Sequence, residues 1–234
     1  MSNERIKAVL FDVDGTLVDS LEMLAHGLGD TYEHYLGYRP NREALTKIMG
    51  RSLRSIMSEM RAEGGLDASI EEMSAFTVER YDAKKHLVTE FGPAIEALEL
   101  CFRGGLGTAL VTSKNTPEFE SFIHTFRGSP FCTTWVISDH VKNPKPDAES
   151  ALLACERLGV RPDQAAFIGD SVFDMRCARS AGCYAIAVLY GSGRRDDLLA
   201  EQPDLVLETP EDVLRWSETT LNNQDAKKEI GRTA

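Results

Sequence analysis

Two aspartates, Asp12 and Asp14, follow the apolar run at residues 6–10, and Asp14 directly precedes Gly15. The run has the composition of a buried strand, which Gly15 would end. Alternate side chains of an extended segment point the same way, so we expect both carboxylates to face one crevice. Like charges at this spacing need a cation or a shared proton, and a hard divalent ion such as Mg2+ would neutralise them. An ordinary Asp-Gly turn is the alternative interpretation of this motif alone.

Further polar residues follow later strands or lie in the loop after one. They are Thr112, Ser113, Lys145, Asp170 and Asp174. Each alone could be a helix cap or a solvated loop residue. Open α/β sheets place their ligands at the carboxyl ends of the strands, so together these residues indicate one site. An inventory of carboxylates, a hydroxyl and an ammonium suits phosphoryl transfer, with one carboxylate as nucleophile and another as acid and base.

Strands that alternate with helices must position these residues, which predicts an α/β fold with a doubly wound parallel sheet. Strands are expected at 106–112, 135–138, 165–168, 183–188 and 205–207, and a last helix at 210–217. The segment after the first motif has helical periodicity, with about four helices and no strand candidate. The chain therefore divides into a catalytic core at 1–18 and 88–217, an all-helical inserted domain at 19–87 and a polar C-terminal tail at 218–234.

The composition narrows the classes of partner. A net charge of −11 argues against general nucleic-acid binding. No apolar run approaches the roughly 20 residues that span a bilayer, and Met1–Lys7 leaves no room for a signal peptide before the first strand. Five scattered cysteines without Cys-x-x-Cys spacing indicate reduced thiols and not a metal site. These features predict a cytoplasmic protein without membrane or nucleic-acid partners, and they carry no signal for oligomeric state.

The sequence resembles the haloacid dehalogenase-like hydrolases in four motifs. These are Asp12-Val13-Asp14-Gly15-Thr16, Val111-Thr112, Lys145-Pro146 and Gly169-Asp170-Ser171-x-x-Asp174. The resemblance runs from Ile6 to about Trp216 and implies a Rossmann-like core with a helical cap domain. Such caps occur in phosphoglycolate phosphatases, β-phosphoglucomutases and a bacterial inorganic pyrophosphatase. The pairs Ala181-Gly182, Tyr190-Gly191 and Pro203-Asp204 look most like the phosphoglycolate phosphatase branch.

One departure from that branch concerns its lysine motif, which usually continues Lys-Pro-x-Pro. This chain has Ala148 where the second proline would stand. The assignment of Lys145 survives the change, with Lys142 as a minor competitor for the same role.

The resemblance implies a role for each motif residue. Asp12 would be the nucleophile and a metal ligand, and Asp14 the general acid and base, its carbonyl also binding Mg2+. Thr112, Ser113 and Lys145 would bind the substrate phosphate. Asp170 would bind Mg2+, and Asp174 would support the metal site.

These roles imply a Mg2+-dependent phosphatase that hydrolyses a small, anionic, phosphoglycolate-like metabolite through an aspartyl-phosphate. The presence of Asp14 separates the chain from the dehalogenase branch and from the P-type ATPases, which lack an aspartate there. A sugar-phosphate mutase and an inorganic pyrophosphatase remain alternatives on the same core. A phospho-accepting receiver-type signalling domain is a remote alternative, since it would lack the helical insertion.

The cap is expected to add a substrate contact through Arg51. The segment 39–61 carries six basic residues and two glutamates inside an acidic protein, so it could attract an anionic substrate. Arg51 follows Gly50 at a turn between helices, from which a long side chain could reach the core. The alternative is a solvated helical face whose arginines pair with acidic neighbours.

Overall fold

A six-stranded parallel sheet forms the centre of the molecule in the computed structural model, which describes the backbone of residues 6–232 and the side chains of residues 6–223. The strands, in chain order, are β1 (Ala8–Phe11), β2 (Val18–Asp19), β3 (Thr89–Glu90), β4 (Gly107–Val111), β5 (Thr134–Val136), β6 (Ala165–Gly169), β7 (Tyr184–Val188) and β8 (Leu205–Leu207). The sheet order is β5-β4-β1-β6-β7-β8, with every neighbouring pair parallel. The predicted doubly wound α/β fold is confirmed, and the winding reverses beside β1, where such sheets form a ligand crevice.

Strand β1 is buried along its whole length because helices cover both faces of the sheet. Val9 and Phe11 pack into one apolar layer, and Ala8 and Leu10 pack into the other. The covering helices are α5 (Gly92–Arg103), α6 (Thr116–Ile123), α7 (Glu149–Leu158), α8 (Val172–Ala181), α9 (Arg195–Ala200) and α10 (Pro210–Arg232). Burial on both faces explains why this strand is an apolar run and does not alternate with polar residues.

Four helices lie between β2 and β3 and share an apolar core of their own. They are α1 (Leu21–Leu36), α2 (Arg42–Ile48), α3 (Leu53–Gly64) and α4 (Ile70–Asp82). Met57, Met60 and Met73 are fully buried between them. Asn41, Ser52 and Ser69 cap the starts of α2, α3 and α4 by accepting backbone N–H groups. We propose that this unit is the inserted helical domain at 19–87.

A short antiparallel pair joins the helical unit to the sheet domain. Val18 pairs with Glu90 and Asp19 with Thr89, so the chain leaves and re-enters the sheet domain side by side. The sequence pattern predicts no strand here, because a two-residue strand has too few side chains to show an alternating pattern.

Helix α10 is longer than the sequence pattern predicted. Its predicted end at Ser217 was wrong, since the helix continues to Arg232 through the segment expected to be a polar tail. Val213, Trp216 and Thr220 are buried at helical spacing, and Leu221 packs where a side chain on Gly104 would stand. This packing stabilises the helix beyond Ser217.

Within residues 6–232 no helix is both long and apolar enough to cross a bilayer. All five cysteines are free thiols, and four of them are buried. The expectation for the first residues of the chain, before Ile6, lies outside the described residues.

Candidate active site

Three predicted residues stand immediately after three adjacent strands. Asp12 follows β1, Thr112 follows β4 and Asp170 follows β6. Their exposures are 5%, 3% and 1%. The parallel register of the strands brings these side chains to the same edge of the sheet, as the sequence predicted.

Lys145 binds two carboxylates at this edge. Its Nζ donates to Oδ1 of Asp12 and to Oδ1 of Asp174, each over 2.6 Å, and to the carbonyl of Val111 over 3.1 Å. Burial alone lowers the pKa of Lys145, but Asp12 and Asp174 outweigh it and raise that pKa above its usual range. The ammonium therefore stays charged. Lys142 is exposed and lies outside this cluster, so Lys145 is the lysine beside Asp12.

The carboxyl of Asp12 is almost completely buried in this cluster. Burial raises its pKa well above the usual range, and the nearby charge of Asp174 raises it further. Lys145 opposes both effects by attracting the ionised form. The ammonium is therefore what stabilises a charged carboxylate at a position where water cannot.

Asp174 is held at the start of helix α8. Its Oδ2 accepts the backbone N–H of Ser171 over 3.0 Å and the Ser171 hydroxyl over 2.6 Å. The Ser171 oxygen in turn accepts the N–H of Asp174, which completes a capping box. One carboxylate oxygen of Asp174 thus caps helix α8, and the other binds Lys145.

Asp170 is held by Ser192, which is not one of the predicted site residues. Its Oδ2 accepts both the backbone N–H of Ser192, over 2.7 Å, and the Ser192 hydroxyl, over 2.8 Å. Burial raises the pKa of Asp170 to about 7, and the charge of Asp174 contributes to the rise. Gly15 lies directly against this carboxylate, where a Cβ would be 2.1 Å from Oδ2. The sequence around Ser192 contains no motif that predicts its contact with Asp170.

Three of these carboxylates form a candidate metal centre. Asp12, Asp170 and Asp174 each offer an oxygen within 4.8 Å of the others, and all three are buried. Clustered, buried carboxylate oxygens are the ligands that a hard divalent cation prefers. The residues present therefore fit Mg2+. The predicted contribution of Asp14 through its carbonyl stays a prediction.

Asp14 lies beside the cluster and pairs with a second buried lysine. Lys114 Nζ is 2.8 Å from its Oδ2 and 2.9 Å from its Oδ1, and the Ser20 hydroxyl donates to Oδ1 over 2.7 Å. Lys114 is 7% exposed. Lys114 was not among the predicted site residues, although its position two residues after Thr112 at the end of β4 is a signal in the sequence.

The helical unit closes the site from above. A chamber of about 40 Å³ lies between the two domains, with Asp12, Asp14 and Lys114 among the residues that line it. Its cap-side wall is mostly apolar, with Gly50, Arg51 and six apolar or aromatic side chains, which are Leu24, Leu28, Met49, Leu53, Ile56 and Tyr81. Ser113 also lines the chamber and donates its hydroxyl to the carbonyl of Gly50 over 2.6 Å.

Arg51 lines the chamber, but its guanidinium is engaged by two residues of helix α3. It lies 2.6 Å from a carboxylate oxygen of Glu59 and donates to the hydroxyl of Ser55 over 3.0 Å. The same side chain also borders an open cleft of about 1160 Å³ beside α8. The predicted role of Arg51 as a substrate contact stays a prediction.

The chain is similar to known hydrolases in sequence and in fold. Residues 9–188 match the sequence model of a family described as haloacid dehalogenase-like hydrolase. The chain is 33% identical over 214 residues to pyrophosphatase PpaX of Bacillus velezensis, which covers 92% of this chain and 97% of that protein. It is 28% identical over 232 residues to phosphoglycolate phosphatase of Salmonella typhimurium, covering 90% and 92%. A solved haloacid dehalogenase-like hydrolase from Streptococcus pneumoniae superposes with a TM-score of 0.76 at 28% identity, covering 92% and 99%.

Proposed function

The chain belongs to the haloacid dehalogenase-like hydrolases, and on that premise we propose that it is a phosphatase acting on a small phosphorylated metabolite. The observation that carries the proposal is the buried cluster in which Lys145 binds Asp12 over 2.6 Å, with Asp14 and Thr112 beside it. One carboxylate there can attack phosphorus while another exchanges a proton. The proposal includes the predicted division into core and cap and the predicted cytoplasmic location.

Phosphoryl transfer proceeds in two steps, transfer to Asp12 and then hydrolysis. In the first, an oxygen of the Asp12 carboxylate bonds to phosphorus as the bond from phosphorus to the ester oxygen breaks. That oxygen leaves with the electron pair and takes the proton of Asp14. In the second, water attacks phosphorus and gives a proton to Asp14, and the bond from phosphorus to Asp12 breaks. Inorganic phosphate leaves, and both aspartates return to their starting forms.

The phosphate oxygens need positive charge and hydrogen bonds around them. Lys145 supplies an ammonium next to Asp12, and Thr112 offers a hydroxyl from the end of β4. The Ser113 hydroxyl would have to leave the carbonyl of Gly50 to donate to the phosphate. Asp12 and Asp170 would hold Mg2+, with the carbonyl of Asp14 and support from Asp174. Such an ion, when bound, neutralises the charge of the phosphoryl group.

The chamber wall favours an organic leaving group. Six of the side chains that the cap contributes to it are apolar or aromatic, whereas diphosphate is charged throughout and would leave them unmatched. We therefore place an organic phosphomonoester first, and keep phosphoglycolate as the example that the resemblance implies. Pyrophosphate is the second candidate, since the relative PpaX is named a pyrophosphatase. A mutase reaction on a sugar phosphate is the third.

A substrate panel tests the proposal. Purified protein with Mg2+ is assayed for phosphate release from phosphoglycolate, glycerol 2-phosphate, p-nitrophenyl phosphate and pyrophosphate. β-Glucose 1-phosphate is assayed for isomerisation with and without glucose 1,6-bisphosphate. We expect monoester hydrolysis that EDTA abolishes and Mg2+ restores. Hydrolysis of pyrophosphate alone, or isomerisation that needs the bisphosphate, would select one of the other candidates. Full activity in EDTA would contradict the metal role.

A further inference from the structure

The proposed mechanism leaves one buried charge unused, the ammonium of Lys114. It contacts both oxygens of Asp14, at 2.8 and 2.9 Å, and the Ser20 hydroxyl holds Oδ1 at 2.7 Å. Neither partner belongs to the four motifs. Lys114 lies in the segment after β4 of the sheet, whereas Ser20 directly precedes helix α1 of the helical unit.

The surroundings of Lys114 keep its charge directed at Asp14. The carboxylates that attract it are those of Asp14, then of Glu118 and, more weakly, of Asp12. The Phe122 ring lies 5.6 Å from Nζ and adds a weaker attraction.

Two cavities meet at this ion pair. The first is the 40 Å³ chamber that contains Asp12. The second, of about 400 Å³, lies on the hinge side between the cap and α6. Asp14 and Lys114 line both. Without the lysine, the Asp14 side chain would have free space on the side away from Asp12, and rotation into it would remove the carboxyl from the reacting atoms.

We propose that Lys114 is a positioning residue for Asp14, whose carboxyl it holds toward the chamber so that the proton passes between Asp14 and the ester oxygen or water. This inference rests on the proposed phosphatase function. It assigns Lys114 to proton transfer and not to binding of the phosphoryl group or of an anionic part of the substrate.

The test separates proton transfer from binding through the choice of leaving group. Glycerol is a poor leaving group that needs a proton, and it carries no charge that Lys114 could bind. p-Nitrophenolate leaves with little help. We expect Lys114→Met to lower kcat for glycerol 2-phosphate about a hundredfold, the low end for a general acid, and kcat for p-nitrophenyl phosphate less than about tenfold. Lys142→Met, which removes an exposed lysine, is the matched control and should change neither.

A double-mutant cycle asks whether Lys114 acts through Asp14. In an Asp14→Asn background, Lys114→Met should cause little further loss on glycerol 2-phosphate, because the group that it positions is already gone. Lys114→Arg keeps a cation and should recover part of the lost kcat. If Lys114→Met does not fold, Lys114→Gln and Lys114→Arg provide the same comparison of leaving groups.

Three results would overturn the inference. Equal losses on both substrates would show a general structural role. Losses that add to those of Asp14→Asn would show independent action. A rise in KM for phosphoglycolate with unchanged kcat on glycerol 2-phosphate would assign Lys114 to substrate binding. A wild-type protein that hydrolyses neither ester would instead refute the proposed function itself.

Discussion

The hydroxyl of Ser113 donates a hydrogen bond of 2.6 Å to the carbonyl oxygen of Gly50. Ser113 follows the strand that presents Thr112, whereas Gly50 lies in the turn between α2 and α3. The bond therefore connects the reaction edge of the sheet to the helical unit. Gly50 also has a φ of +89° and lies against Ser171 and Phe173, so the domains meet here without room for a side chain.

We expect Gly50→Ala to disturb the meeting of the two domains. A Cβ at this position would lie 2.9 Å from the Ser171 hydroxyl oxygen and 3.1 Å from the Phe173 ring, at a left-handed φ. Gly65→Ala is the matched control, because Gly65 also has a positive φ, +57°, but has nothing within 4 Å. Both should lose about 1–2 kcal/mol of unfolding free energy from backbone strain. Only Gly50→Ala should lower kcat/KM, and equal activity of the two variants would contradict the prediction.

Asp12→Asn should lower phosphatase activity by more than about a thousandfold, since it removes the nucleophilic charge and keeps the shape. The fold should persist, because the pKa of Asp12 is raised by burial and an uncharged amide loses no favourable hydration there. Phosphate release measures the activity, and circular dichroism checks the fold. Substantial turnover in a clean preparation would reject Asp12 as the nucleophile.

Ser192→Ala should weaken Mg2+ binding about tenfold, as expected when a residue that orients a metal ligand is lost. The Ser192 hydroxyl is one of two donors on Oδ2 of Asp170, and the backbone N–H would remain. Titration calorimetry with Mg2+ alone provides the measurement, without reference to turnover. Ser180→Ala, at an exposed site on α8, serves as control. Identical Mg2+ affinities in the two variants would leave Ser192 without this role.

Glu118 should make stability depend on pH. Burial raises its pKa to about 7, although Lys114 and the N–H of Asn115 oppose the rise. Because the folded pKa lies above the unfolded one, the folded state binds the proton more tightly. The resulting stability is complete below the unfolded pKa and is lost as pH rises through about 7. The loss is at most about 3 kcal/mol, and less in practice because the side chain is only partly buried.

Glu118→Gln should remove this dependence and keep the capping box, in which glutamine can replace glutamate. Chemical denaturation at pH 5 and pH 8 gives the two free energies of unfolding for each protein. Glu120→Gln, an exposed change on the same helix, should behave like the wild type. A wild-type slope that survives Glu118→Gln would assign the pH effect to another group.

Arg51→Ala should raise KM for phosphoglycolate and change p-nitrophenyl phosphate hydrolysis much less, if the guanidinium leaves Glu59 to bind the substrate. Arg54→Ala is the matched control, because Arg54 on helix α3 pairs with Glu71 on helix α4 and both side chains are exposed. Equal effects of Arg51→Ala on both substrates, or none on either, would make Arg51 a surface ion-pair residue.

The core of the site could be predicted from the sequence alone because it depends on strand ends. Asp12, Thr112 and Asp170 each terminate an apolar run, and parallel strands must bring such ends to one edge. The sequence favoured Lys145 over Lys142, and only the structure shows that Lys145 lies buried against Asp12 while Lys142 is exposed.

Other features depended on contacts between distant parts of the chain. Lys114 meets Asp14, and Ser192 meets Asp170, through loops whose side-chain directions follow from tertiary packing and not from local pattern. The extension of α10 past Ser217 likewise depends on packing against α5. Sequence periodicity determined which residues could gather at the sheet edge. Only the packed structure decided which partners hold them, because a hydrogen bond between remote residues leaves no local signal in either segment.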